Sequence, residues 1–370
     1  PVVTAMSAEA SDMSSYLLMG LPGLAYFCGL PEVTWTCIGL AAGTYLNWLI
    51  VARRIRRYSD RLGAITVPDF FSRRYGDQRH VLSCIAAIVI LLFFIPYTAS
   101  GFKAVGTLFN SLFGFEYHTA MIVGAVVIIA YTVMGGFLAV STTDLVQSIF
   151  MTAALIVVVC FGVSKAGGVD AVLENARSLP GYLNLTQGYD VATGSAASFG
   201  TLSILSTLAW GLGYFGMPHI LLRFMAIREE KELNLSRRIA TVWVVISMAI
   251  AIAIGVIGLA VTKAGSIPFL GSSAEAETVI IQLANLMSQH GFLLIIAAGI
   301  IISGILAATM STADSQLLAA ASSVSQDLMQ DFFGIKLSAK TTMLVARATV
   351  LVIAVISIFL AWDPNSSVFR

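Results

Sequence analysis

The chain has 370 residues with 21 Lys+Arg against 20 Asp+Glu, a net charge of +1. Its hydrophobic fraction is 58% and its charged fraction 11%, against roughly 45–50% and 25% in soluble domains, and the mean hydropathy is +0.88. So few charges cannot cover a water-soluble surface, so lipid is the solvent for most of the chain. A net charge this small also excludes nucleic acid as an electrostatic partner. The four cysteines (Cys28, Cys37, Cys84, Cys160) lie in apolar stretches, with neither metal-ligand nor disulfide-framework spacing.

Apolar runs of spanning length, roughly 20 residues, occur at about 1–29, 33–52, 81–113, 119–140, 145–165, 199–222, 239–263, 291–320 and 342–362. Nine spans are therefore expected, the third long enough to tilt or project. The loop 53–80 carries eight arginines, 223–238 carries Arg223, Arg228, Lys231, Arg237 and Arg238, and the stretch after the eighth span carries Lys336, Lys340 and Arg347. Lys165, Arg177, Lys263 and Arg370 fall on the other side, and Lys103 lies within a span. The positive-inside rule puts the first group in the cytoplasm. The loop 166–198 is then external, and 266–289 reads as an amphipathic helix lying on the outer face. The chain starts at Pro1 in an apolar run and stops at Arg370 just past another; a transporter piece truncated at both ends is expected.

Three spans are chemically unusual. The first contains Ser7, Glu9, Ser11, Asp12, Ser14 and Ser15 in an apolar run. An acid at the bilayer centre costs on the order of 2.5–3.5 kcal/mol on insertion scales, and hydroxyls compete for backbone hydrogen bonds. Such a stretch suits a broken helix whose carbonyls line a cavity. The sixth span holds Gly211, Gly213, Gly216 and Pro218 around Trp210 and Tyr214, with His219 following, a strong breaker signal. The eighth places Ser311 and Thr312 before Asp314, oxygen donors suited to a hard cation. The two broken spans lie five apart and so run in opposite directions. That is the signature of two inverted five-helix repeats with the ligand site at the interrupted helices. The fold class expected is an all-α polytopic membrane protein with an inverted five-helix repeat transporter core and discontinuous helices. It forms a single domain, with a first repeat at about 1–165 and an incomplete second at about 199–370. The sequence carries no nucleophile–base constellation, so no catalytic residue and no cofactor are expected.

Four blocks carry a family resemblance. They are Ser11-Asp12-Met13-Ser14 with Leu17 to Gly23; Tyr131-Thr132 with Gly135 to Ser141; Trp210 to Gly216 with Pro218-His219-Ile220 and Arg223 to Ala226; and Leu306-Ala307-Ala308 with Met310-Ser311-Thr312. In order and over nearly the whole chain, they resemble the sodium/solute symporter family, its proline branch most closely. The resemblance implies sodium-coupled import of L-proline across a bacterial cytoplasmic membrane by alternating access. It implies Na+ as coupling ion, bound by the carbonyls of Ala10, Met13 and Ala308 and the hydroxyls of Ser311 and Thr312. Asp12 and Ser14 would support that site, and Tyr131, Trp210, Tyr214 and Pro218 would line the substrate pocket. Glu9, Ser15, Tyr16 and Met217 depart from the family pattern. Another small carboxylate, or a sensor domain built on the same scaffold, are the alternatives.

Overall fold

The computed structural model describes residues 1–364, so Arg370 lies outside the described residues. Helix α1 (Val2–Ser15) ends where Ser14 adopts φ +47° and ψ −171°, a left-handed conformation that a side chain disfavours. The Ser14 hydroxyl accepts the Tyr16 N–H at 3.1 Å, replacing a bond the break removes. A π-helical turn, Tyr16–Gly20, leads into α2 (Leu21–Cys28), which has Pro22 in its first turn. The first span is thus interrupted, as its polar run predicts.

The second span is α3 (Leu30–Leu46), a π-helical segment Asn47–Ala52 and α4 (Arg53–Leu62) in one rod. It runs ten residues beyond the expected end, so much of the basic loop is helix. A short break leads to α5 (Val67–Tyr75), capped by the Thr66 hydroxyl accepting the Asp69 N–H at 3.1 Å. Helix α6 (Val81–Phe113) passes through Pro96 without ending. At 33 residues it is about 50 Å long, well over the hydrocarbon thickness.

The fourth and fifth spans form α7 (Tyr117–Lys165), interrupted at Gly136 with φ +66° and ψ 178°. The Tyr131 and Thr143 hydroxyls are hydrogen-bonded. Twelve residues of straight helix would separate them by about 18 Å, so the chain reverses at Gly136. The turn falls there, and not at 141–144 between the expected fourth and fifth spans. Positive φ on so tight a reversal is the conformation glycine tolerates.

The external loop holds α8 (Val169–Ser178) and an antiparallel hairpin, β1 (Gln187–Asp190) with β2 (Ser195–Ser198), Gln187 opposite Ser198. It clamps the end of the first span: Tyr182 Oη donates to the Ala25 carbonyl at 2.7 Å, and the Leu30 N–H to the Tyr182 carbonyl at 2.8 Å. The sixth span is α9 (Thr201–Ala209), a 3-10 segment Trp210–Gly216 and α10 (Pro218–Ala226). Then come α11 (Leu233–Lys263), the short α12 (Ser273–Ala276), α13 (Val279–Ser288), α14 (Phe292–Ser322) with a π-helical extension Ser323–Phe332, and α15 (Ala339–Leu360). Six described helices are long and apolar enough to cross a membrane. The difference from nine is the two interrupted spans, each cut into short helices, and the counting of α7 as one.

Helix α13 corrects another expectation. Val279, Ile280, Ile281 and Leu283 are fully buried, so this helix is wedged against α14, α11 and α2 and does not lie on the outer membrane face. Its apolar residues surround it, and ten residues are too few to span.

The core centres on α1, buried from Ala5 to Ser15 between α7, α10, α11 and α14. Helix α3 meets the 3-10 segment by backbone contact. A Cβ added at Gly43 would overlap the Gly211 carbonyl oxygen, and one at Gly211 the Gly39 carbonyl oxygen. Gly43→Ala is therefore expected to lower stability by about 1–3 kcal/mol, as overpacking does. A thermal melt in detergent measures it, and Gly299→Ala, where a Cβ meets only open space, is the control.

Candidate functional site

Four of the five expected sodium ligands converge where the break in α1 faces the middle of α14. Ser311 Oγ donates to the Ala10 carbonyl at 2.7 Å and to the Ala308 carbonyl at 3.2 Å; Thr312 Oγ1 donates to the Ala308 carbonyl at 3.2 Å. All four residues are buried. Two carbonyls and two hydroxyls form an uncharged oxygen cluster, the donor type that hard cations take. The Met13 carbonyl lies one turn on and accepts the Tyr16 N–H; no hydrogen bond joins it to the other four among the described residues.

Asp12 lies beside the Tyr214 side chain of the 3-10 segment, and its carbonyl accepts from Tyr97 Oη at 3.4 Å. Asn47 Nδ2 donates to the Tyr214 carbonyl at 2.8 Å, which fixes that segment against the second span. The Trp210 ring lies 4.9 Å from the Tyr16 ring at 50°. Trp210 is half exposed while Tyr214 is buried, and Pro218 opens α10. Trp210, Tyr214 and Pro218 therefore lie on one irregular stretch facing the break in α1. Tyr131, on α7, is hydrogen-bonded to Thr143.

Tyr97 was not singled out in the sequence. Its signal is the dipeptide Pro96-Tyr97, a proline followed by a hydroxyl-bearing ring in an apolar run. Beside it a cavity of about 10 Å³, lined by Ser14, Tyr97, Ser100, Thr312 and Gln316 among others, has room for one water or ion.

A second polar cluster was also missed. Arg223, expected in a cytoplasmic loop, is buried in α10 with Asp144 of α7. Arg223 Nη2 donates to Asp144 Oδ2 at 2.9 Å, to Ser11 Oγ at 2.7 Å and to Ser315 Oγ at 2.7 Å; Nε donates to Ser7 Oγ at 2.8 Å. Ser7 Oγ donates to Asp144 Oδ2 at 2.6 Å. One ion pair with three serines thus joins α1, α7, α10 and α14. Glu9 is matched in a similar way, its carboxyl accepting from Trp48 Nε1 at 2.9 Å. His219 is fully buried beside Phe94, and neither ring nitrogen has a hydrogen-bond partner among the described residues. Below the Arg223 cluster a cavity of about 760 Å³ opens between Thr66, Gly136, Arg223, Ser315 and Arg347, on the side that the basic loops assign to the cytoplasm.

Residues 1–370 match the Sodium:solute symporter family. The high-affinity proline transporter PutP of Bacillus subtilis is 42% identical over 370 residues, 100% of this chain and 74% of that protein. Sodium/proline symporter 2 of Staphylococcus saprophyticus is 39% identical over 374 residues, 100% of this chain and 69% of that protein. Among solved structures, a Na+-coupled sialic acid symporter in a substrate-bound outward-open state aligns with a TM-score of 0.76 at 17% identity, over 98% of this chain and 74% of that one. At that identity the likeness is one of fold: an all-α polytopic transporter core. Matched from end to end, the chain belongs to the sodium:solute symporter family.

Proposed function

We propose that this chain is a sodium-coupled symporter that imports L-proline across a bacterial cytoplasmic membrane by alternating access. The observation that carries the reading is the 42% identity, along the whole chain, to a high-affinity proline transporter. The protein is a carrier and not an enzyme; sodium is its coupling ion, and it needs no cofactor.

The sodium site is assigned to the carbonyls of Ala10, Met13 and Ala308 and the hydroxyls of Ser311 and Thr312, with Asp12 and Ser14 as support. The convergence of Ala10, Ala308, Ser311 and Thr312 supports it. The proline pocket is assigned to Trp210, Tyr214 and Pro218, with Tyr97 as a further wall. An imino acid ring wants aromatic surface, and its carboxylate wants the N-terminal end of a half-helix. Tyr131, bonded to Thr143, is assigned to the same substrate pocket. The interrupted first and sixth spans are corresponding members of two inverted repeats, about 1–165 and 199–370, within one transporter domain.

Uptake of radiolabelled proline into proteoliposomes, with and without an inward sodium gradient, tests the proposal. Gradient-dependent accumulation is expected. Uptake indifferent to sodium, or none with proline, overturns it, and competition by pantothenate or a short monocarboxylate ranks other carboxylates. Trp210→Ala is expected to raise the proline concentration for half-maximal uptake about ten-fold, a loss of about 1.4 kcal/mol of ring contact. An unchanged value removes Trp210 from the pocket.

A further inference from the structure

The cytoplasmic end of the second span and the start of α11 enclose a cavity of about 500 Å³. Trp48 and Leu49 form its apolar side, and Arg53, Arg57, Lys231 and Arg237 its polar side. An adjoining cavity of about 380 Å³ is bounded by Arg53, Arg54, Arg57, Tyr58 and Arg61, so Arg53 and Arg57 face both. The one acid in either lining is Glu230. Arg57 Nη2 donates to it at 2.6 Å and Arg57 Nε at 3.1 Å, and Arg53 is paired with it too. The bonds from Arg57 and Arg53 hold the Glu230 carboxyl down to about 2, so it is ionised at any physiological pH.

One carboxylate thus faces four cations in the larger cavity. Among the described residues, neither Lys231 nor Arg237 is in an ion pair. Arg237 Nε is buried without a hydrogen-bond partner among the described residues, while its guanidinium lies 5.3 Å from the centre of the Tyr45 ring. A buried donor of this kind is costly unless something accepts from it. Immediately beside the cations, Leu49, Ile50 and Leu235 are exposed, as side chains touching acyl chains are. A cationic wall at the cytoplasmic interface joined to an apolar one has the chemistry of a phospholipid headgroup and its first methylenes.

We propose that this pocket binds an anionic phospholipid of the phosphatidylglycerol type. Lys231, Arg237 and Arg53 face the phosphate, and the exposed Leu49 faces the glycerol and upper acyl carbons. The site is separate from the ion and substrate residues assigned above and does not depend on the transport reading. A soluble phosphate shares the charge but lacks the chains, which lets one experiment distinguish the two.

Purified, delipidated protein in detergent is incubated with phosphatidylglycerol, with phosphatidylcholine, or with phosphatidylglycerol plus sodium phosphate, and bound lipid is counted by native mass spectrometry. Phosphatidylglycerol is expected to be retained roughly ten-fold more than phosphatidylcholine. The double variant K231Q/R237Q should reduce that retention about five-fold, while R79Q, an exposed arginine outside both cavities, should leave it unchanged. Equal retention of the two lipids overturns the site. So does a loss in R79Q as large as in the double variant, which would mean diffuse surface charge. Displacement of the lipid by millimolar phosphate overturns the lipid assignment in favour of a soluble anion. The lipid comparison needs no variant, and K231Q alone alters only an exposed side chain, so a folding failure of the double variant leaves the test intact.

Discussion

Replacing Ser311 or Thr312 by alanine is expected to raise the sodium concentration that half-saturates proline uptake about ten-fold, with the apparent proline affinity at saturating sodium changed by less than about three-fold. Ser311→Ala deletes one oxygen and keeps Cβ, so packing is nearly preserved; Thr312→Ala also deletes a methyl group, and Thr312→Val is its better-packed companion. A hydrogen bond or ligand contact to a charged group is worth about 1.5–3 kcal/mol, and 1.4 kcal/mol is a factor of ten in a binding constant. Ser311 is the more telling position, because its hydroxyl spans the Ala10 and Ala308 carbonyls and joins α1 to α14. Proline remains in contact with the aromatic stretch of the sixth span, so its own affinity is spared once sodium is in excess. Sodium titrations of uptake in proteoliposomes measure both quantities. A sodium dependence unchanged in both variants removes these hydroxyls from the ion site.

Asp144→Asn is the second large effect expected. It leaves the Arg223 guanidinium buried among three serine hydroxyls without its counter-ion. Removing one partner of a buried pair costs about 3–5 kcal/mol, so the expected result is a lower melting temperature in detergent and poor accumulation in the membrane. Arg223→Met should be comparably harmful, since it strands the carboxylate. The double variant Asp144→Leu with Arg223→Met should recover much of the loss, because an apolar pair of similar volume often replaces a buried ion pair at little cost. A double variant as unstable as the worse single would mean that the serines, and not the pair, hold the four helices together.

The two interrupted helices were legible because their causes are local. Four serines and two acids in the first span, and three glycines with a proline in the sixth, conflict with a helix wherever they are placed. The oxygen cluster at Ser311 and Thr312 was legible for the same reason. The Arg223–Asp144 pair was not. Its members are 79 positions apart, and each resembles an ordinary charge at the end of a span until the fold brings them together. The reversal lies at Gly136, inside the expected fourth span, because one glycine at positive φ suffices for it and leaves the run apolar. Helix α13 was misread because spacing alone does not distinguish a membrane surface from a protein interior as the apolar phase.

The contact between the Tyr16 and Trp210 rings gives the proposed carrier a thermodynamic property. It ties the helix break that would hold the ion to the helix break that would hold the substrate, so either ligand orders a segment the other uses. Coupling of this kind needs no contact between sodium and proline, and it is reciprocal. Whatever factor sodium contributes to proline binding, proline must contribute to sodium binding. Tyr16→Leu, which removes the ring contact with Trp210, would then shrink both factors together.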